Sequence, residues 1–228
     1  TFVFARGRRA PMNFDAAREI MVDSQIRPND VTDAPIVSAF LRTPREAFVP
    51  NSRKSVAYSE LEIATSPERS LWIPRDTAKL VKLAAIKPSD IVLVIGAGAG
   101  YEAALISHLS ETVIALEETT ALVDAMAARF AALGLDRAVA VEGKIAVGLP
   151  DQAPFDAIYV CGMVEHVPDT WTDQLAEGGR LVAVVMDREG LGRGTVFTKS
   201  GDTVAARDAF DACPPKFTQF DLKQSFVF

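Results

Sequence analysis

Cysteine and histidine are scarce in this 228-residue chain, at two of each. Cys161 and Cys213 make no disulfide framework, and with His108 and His166 they fall short of the clustered ligands of a structural zinc site. No run approaches the roughly 20 uninterrupted apolar residues that a membrane helix needs. The longest apolar stretches, such as Leu181–Met186, are strand-sized. An excess of positive charge is missing too. Lys and Arg number 24 against 30 Asp and Glu, so the net charge of −6 gives no summed field for non-specific nucleic-acid binding. Arg6, Arg8 and Arg9 stand in Thr1–Pro11 without an apolar core after them, which reads as a flexible basic tail and not as a secretory signal. The expectation is a soluble, cytoplasmic protein with no metal, nucleic-acid or membrane partner. Apolar residues, by contrast, make up 49% and charged residues 24%, the balance of a chain that buries an ordinary core.

From about Asp90 onward, strand-like and helix-like segments alternate. Ile91–Ile95, Val113–Leu116, Ala138–Val141, Ala157–Val160 and Leu181–Val185 are short apolar or β-branched runs, the pattern of strands buried on both faces. Leu122, Met126 and Phe130 recur every four residues as one helical stripe, and Gly134 follows where a helix end favours positive φ. Such alternation implies right-handed crossovers and a parallel sheet with helices on both faces, an α/β architecture. Before Asp90 the pattern is helical. Phe14, Ala17 and Met21 form one stripe, Asp33 and Pro35 open a second helix, and a turn-rich passage runs from Pro44 to Pro74. The expected organisation is a tail over 1–11, a helical cap with an acceptor loop over 12–75, and a Rossmann-like domain over 76–228. That domain ends in a β-hairpin region turning at Ser200-Gly201-Asp202.

The motif that carries chemistry is Ile91–Ile95 running into Gly96-Ala97-Gly98-Ala99-Gly100-Tyr101. Glycine permits the tight turn and lets a ligand approach the backbone, while the following helix offers free N–H groups. In an open α/β sheet this turn is where adenosine-type cofactors bind. About twenty residues beyond the first glycine, Glu117 and Glu118 are placed to accept hydrogen bonds from ribose hydroxyls. Gly98, Gly100 and Ala103 also fit a dinucleotide fingerprint. Because Gly96 directly follows the strand, however, G-x-G-x-G is the more natural reading, the arrangement associated with S-adenosylmethionine. Cys161, Glu165 and His166 stand just after the fourth strand of this series. Their plainest reading is a small buried thiol and a solvated Glu-His pair.

At these residues the chain resembles the protein L-isoaspartyl (D-aspartyl) O-methyltransferase family, as a divergent member. The likeness includes Thr43–Pro50, Met21–Ile26, Ala57-Tyr58, Ala153–Val160 and Gln174–Val182, and extends over roughly Met12 to Val185. It implies a class I S-adenosylmethionine-dependent methyltransferase fold with a mostly parallel seven-stranded sheet and an N-terminal helical cap. It also implies methyl transfer to a carboxylate of altered aspartyl residues in a protein or peptide. Carried onto this sequence, cofactor binding is expected of Gly96, Ala97, Gly98, Gly100, Tyr101, Glu117, Glu118, Lys144, Ile145 and Cys161, and the acceptor loop of Ser70 and Trp72.

Three positions depart from the family's pattern. Val94 stands where an acid usually meets the amino end of the cofactor, Lys144 where an Asp meets the adenine, and Trp72 where the acceptor loop has Ser. Trp72 reads either as a cover over the cap or as a ring that closes the pocket. These departures leave open a non-catalytic relative acting as a binding module and a methyltransferase with another acceptor. An NAD-dependent oxidoreductase rests only on the Gly98 fingerprint. Gly98→Val should abolish binding of S-adenosylhomocysteine in a calorimetric titration, by setting a branched side chain against the ligand. Unchanged affinity with an intact circular-dichroism spectrum would remove the glycine turn from the site.

Overall fold

The computed structural model describes residues 12–221, so the expected Thr1–Pro11 tail lies outside the described residues. In chain order the strands are β1 (Ile63–Ser66), β2 (Arg69–Leu71), β3 (Ile91–Ile95), β4 (Thr112–Glu117), β5 (Ala138–Glu142), β6 (Phe155–Val164), β7 (Leu175–Met186), β8 (Gly192–Ser200) and β9 (Thr203–Asp211). The α-helices are α1 (Phe14–Met21), α2 (Ala34–Arg42), α3 (Pro74–Ala84), α4 (Tyr101–Ile106), α5 (Thr120–Ala132) and α6 (Asp169–Thr172). Seven strands form one sheet in the order β5-β4-β3-β6-β7-β8-β9. The strands from β5 across to β7 are parallel, and β8 runs antiparallel to both its neighbours.

Strand alternation divides the core in two. Val92, Val94, Ala115, Tyr159 and Val182 face one cluster, which they share with Met21, Phe40, Phe48 and Trp72 of the N-terminal segment. Leu93, Ile95, Leu116, Val160 and Leu181 face the other, where Trp171, Ile145, Phe217 and Phe220 cover them. Period-two geometry with apolar residues at every position is what gives each strand two buried faces. The N-terminal helices thus pack on the sheet and have no separate core.

Local chemistry explains most boundaries. Asn13 caps α1 by accepting the Ala16 amide at 3.1 Å. Thr119 does the same for α5 through Leu122 at 3.4 Å. Met126 and Phe130 of α5 are buried, and Gly134 takes φ +63° just past its end. Two elements differ from the sequence expectation. Within the turn-rich passage, β1 and β2 form a hairpin, because Ile63 and Leu71 oppose each other and are both buried. The C-terminal strands β8 and β9 are nine residues each, longer than a local hairpin, because β8 pairs along β7 and β9 along β8.

At the amino edge of the sheet a single side chain joins three elements. Arg180 of β7 donates to Ala84 O at 2.6 Å, Ala85 O at 2.7 Å and Asp156 O at 3.0 Å, and it pairs with the buried Asp90. Removing it would strand a buried carboxylate and three carbonyls. Arg180→Met should therefore cost about 3 kcal/mol, a fall in Tm of roughly 6–12 °C in a thermal scan. A Tm within about 2 °C of the parent would show that the network contributes little.

Candidate functional site

The strand order reverses at β3, where β4 departs to one side and β6 to the other, so the carboxyl ends of β3 and β6 flank a crevice. The glycine turn lies there. Gly96, Gly98 and Gly100 take φ of +68°, +57° and +91°, a conformation that a Cβ would strain. Their amides are arranged by the neighbouring strand: Gly96 N and Ala97 N both donate to Leu116 O, at 3.1 and 3.2 Å. The three glycines serve different neighbours. A Cβ on Gly96 would lie 2.4 Å from the Phe217 ring, and one on Gly98 would lie 3.3 Å from Arg69 Cβ. On Gly100 it would meet Met126 and Phe130 at 2.8 and 2.9 Å. Gly100 therefore also lets α5 pack against the turn.

Glu117, the last residue of β4, is fully buried. Its Oε1 accepts from Gly98 N at 2.7 Å and from Arg69 Nε at 2.7 Å, and its Oε2 accepts from Arg69 Nη2 at 3.1 Å and from Glu118 N at 3.0 Å. Glu118 Oε1 in turn accepts from Ile145 N at 3.3 Å, while Ile145 O accepts the Trp171 indole at 2.7 Å. Lys144 beside it is exposed. The crevice thus has the backbone frame of an adenosine site, with positive-φ glycines, a helix start and a terminal carboxylate. In this conformation, however, the chain's own groups saturate the Glu117 carboxylate, and Phe217 stands against Gly96.

The other expected residues separate into two places. Ser70, partly exposed on β2, lines a groove of about 390 Å³ with Glu62, Arg69, Lys216 and Phe217. Trp72 is 2% exposed in the cap-side core, and its carbonyl accepts from Arg45. Tyr101 is also buried on the cap side, with Phe48 at 5.5 Å and the Arg45 guanidinium 4.8 Å over its ring. Cys161 is buried on the same face as Tyr159. Glu165 is partly buried and binds Lys216 at 3.1 Å, while His166 is exposed and its Nδ1 meets Phe220 O at 3.1 Å. Both are held because the segment around Phe217 returns to the end of β6.

Three contributors have no counterpart in the sequence motifs. Arg69 sits one residue before Ser70, and only the hairpin brings it to Glu117. Phe217 lies far outside the matched segments. Glu102 did carry a signal, as a carboxylate in the otherwise apolar Tyr101–Ile106 helix, every residue of which is buried. Desolvation pushes the Glu102 carboxyl up to about 7, against smaller opposing effects from a backbone hydrogen bond and Arg45. Burial likewise raises the Tyr159 hydroxyl and the Cys161 thiol, with nearby carboxylates adding to the effect, so both stay protonated at neutral pH.

This sheet and glycine turn define a class I S-adenosylmethionine-dependent methyltransferase. A profile of the protein-L-isoaspartate(D-aspartate) O-methyltransferase family matches residues 16–213. The chain belongs to that family. It is 38% identical over 171 residues to a protein-L-isoaspartate O-methyltransferase of Methylorubrum populi, covering 75% of this chain and 80% of the relative. It is 37% identical over 178 residues to another from Roseiflexus castenholzii, covering 78% and 81%. Among solved structures, one named protein-L-isoaspartate O-methyltransferase superposes with a TM-score of 0.77 at 26% identity, covering 87% of this chain and 65% of that one. A Plasmodium falciparum structure, in complex with S-adenosyl-L-homocysteine, shares the fold with a TM-score of 0.72 at 18% identity, covering 90% and 98%. Among the described residues no helix is long and apolar enough to cross a membrane.

The raised Glu102 carboxyl makes stability depend on pH. The folded chain holds a proton there at pH values where the unfolded chain, titrating near 4.5, has lost it. Stability is therefore unaffected below about pH 4.5 and falls as pH rises to about 7, a cost on the order of 3 kcal/mol. Glu102→Gln should be more stable than the parent by about that amount at pH 8 and nearly equal to it at pH 4.5, measured by urea unfolding. A difference between the two chains that does not vary with pH would contradict the assignment.

Proposed function

We propose that this chain transfers a methyl group from S-adenosylmethionine to the carboxylate of isoaspartyl residues in damaged proteins or peptides. The observation that carries the reading is the positive-φ glycine turn at the sheet's switch point, closed by the buried Glu117, in a chain that belongs to this family. The residues suited to hold the cofactor are the Gly96–Gly98 backbone, Glu117 at the ribose hydroxyls once Arg69 withdraws, and Glu118 with the Ile145 amide beside them. When bound, the cofactor supplies an electrophilic methyl group.

What remains for the protein is positioning. An aspartyl-type carboxylate titrates near 4 and arrives ionised at neutral pH, so no general base is needed to make it a nucleophile. The buried Cys161 thiol and Tyr159 hydroxyl stay protonated, which keeps competing nucleophiles neutral near the turn. Ser70 faces the groove beside Arg69 and is the residue suited to hydrogen-bond the acceptor. Trp72, placed in the core, supports the loop from beneath.

A second reading, a relative that binds without turnover, is favoured by one observation. Each Glu117 oxygen already accepts two hydrogen bonds from the chain itself. Incubation with methyl-tritiated S-adenosylmethionine distinguishes the two. Base-labile label should enter an isoaspartyl peptide and not its normal aspartyl counterpart. Label in neither peptide, with S-adenosylhomocysteine still binding, would support the second reading.

A further inference from the structure

The crevice is filled from two sides. From the hairpin, Arg69 makes its paired contact with Glu117 and lies 4.9 Å over the Phe217 ring. From the C-terminal side, the stretch after β9 runs beside the end of β6. Met163 N donates to Pro215 O at 2.9 Å and Phe217 N donates to Met163 O at 2.8 Å, setting the Phe217 ring against the turn. A Cβ at Gly162 would lie 2.6 Å from that ring, and one at Gly96 would lie 2.4 Å from it. The ring thus occupies the space that these two glycines leave beside the sheet edge. Phe217 is nearly buried, and Phe220 anchors the same stretch against Trp171 at 4.8 Å.

These contacts and a bound adenosyl group exclude each other. A carboxylate offers about four acceptor positions, and Glu117 uses them on Arg69 twice, Gly98 N and Glu118 N. Ribose hydroxyls can reach Glu117 only when Arg69 leaves. With Arg69 gone, Phe217 loses the cation over its ring. The polar and apolar halves of the obstruction are therefore coupled. Its outer fastening is weak, since Lys216 meets Glu165 at 3.1 Å and Asp221 at 2.9 Å on partly exposed side chains.

We propose that Arg69 and Phe217 form an intramolecular plug, so that the chain alternates between this closed form and an open form that takes the adenosyl cofactor. The proposal rests on the cofactor reading above. Cofactor and plug then compete, and the observed affinity is the open form's affinity reduced by the fraction of molecules that are open. Binding of cofactor releases the 214–221 stretch, which couples occupancy of the site to exposure of the chain beyond β9.

The test is calorimetric titration of the full chain with S-adenosylhomocysteine, comparing the parent with Phe217→Ala. Removal of the ring should tighten binding at least about tenfold. Arg69→Gln, which leaves the aromatic cluster intact, should tighten it as well and serves if Phe217→Ala fails to fold. Trypsin supplies an independent readout on the parent. Saturating S-adenosylhomocysteine should speed cleavage between Lys216 and Phe217 several-fold, followed by mass spectrometry. Equal affinities in parent and variants, with cleavage after Lys216 unchanged by ligand, would overturn the plug and leave the cofactor reading intact. No heat from any of the chains would overturn the cofactor reading and the plug with it.

Discussion

A carboxylate at the end of a central strand is costly to bury, and Glu117 is fully buried. Burial of such a charge is tolerated only when a partner charge and hydrogen-bond donors replace the lost water. Here the replacements come from three directions: the Gly98 amide, the Glu118 amide and the forked guanidinium of Arg69. Much else depends on this arrangement. It draws the β1–β2 hairpin over the sheet edge, holds the glycine turn against β4 and places the guanidinium over Phe217. The same carboxylate is the one we propose for the ribose hydroxyls, so in that proposal the interaction that closes the crevice is also the one that cofactor binding exchanges.

Electrostatics differ sharply around Glu102 and the groups near it. Glu102, Tyr101, Tyr159 and Cys161 are buried with little compensation, although the Arg45 guanidinium lies over the Tyr101 ring. Low polarizability there keeps thiol and phenol neutral and leaves the Glu102 carboxyl near neutrality in its titration. Glu117 is thus a fully paired charge, while Glu102 is an acid with one oxygen that no hydrogen bond reaches.

Within its family the chain combines an intact frame with altered contacts. Val94 sits inside the cap-side core, Lys144 points to solvent, and Trp72 packs beneath the hairpin. Each of the three is satisfied where it lies. The departures therefore cost the fold nothing visible. Glu118 meets the Ile145 amide directly, which helps to hold the turn after β5.

The strands and the switch point could be read from the chain because continuous β-branched runs at Ile91–Ile95 or Leu181–Val185 have few other uses. The glycine turn was equally plain, since three alternating glycines after a strand answer a local steric demand that tertiary context does not alter. The β1–β2 hairpin was not legible. Its pairing depends on Ile63 and Leu71 finding the same core, and the residues between them carry only turn chemistry. Nor could sequence separate the tasks of the glycines, because Gly100 differs from Gly96 only in which distant side chain approaches it. Local pattern thus determined the fold class, the crevice and the acid at its rim. Which groups fill that crevice was decided by tertiary structure alone, because Arg69 lies 48 positions from Glu117 and Phe217 lies 121 positions from Gly96. Contacts at such separations follow from how the hairpin and the chain beyond β9 pack on the finished sheet, and no local preference encodes them.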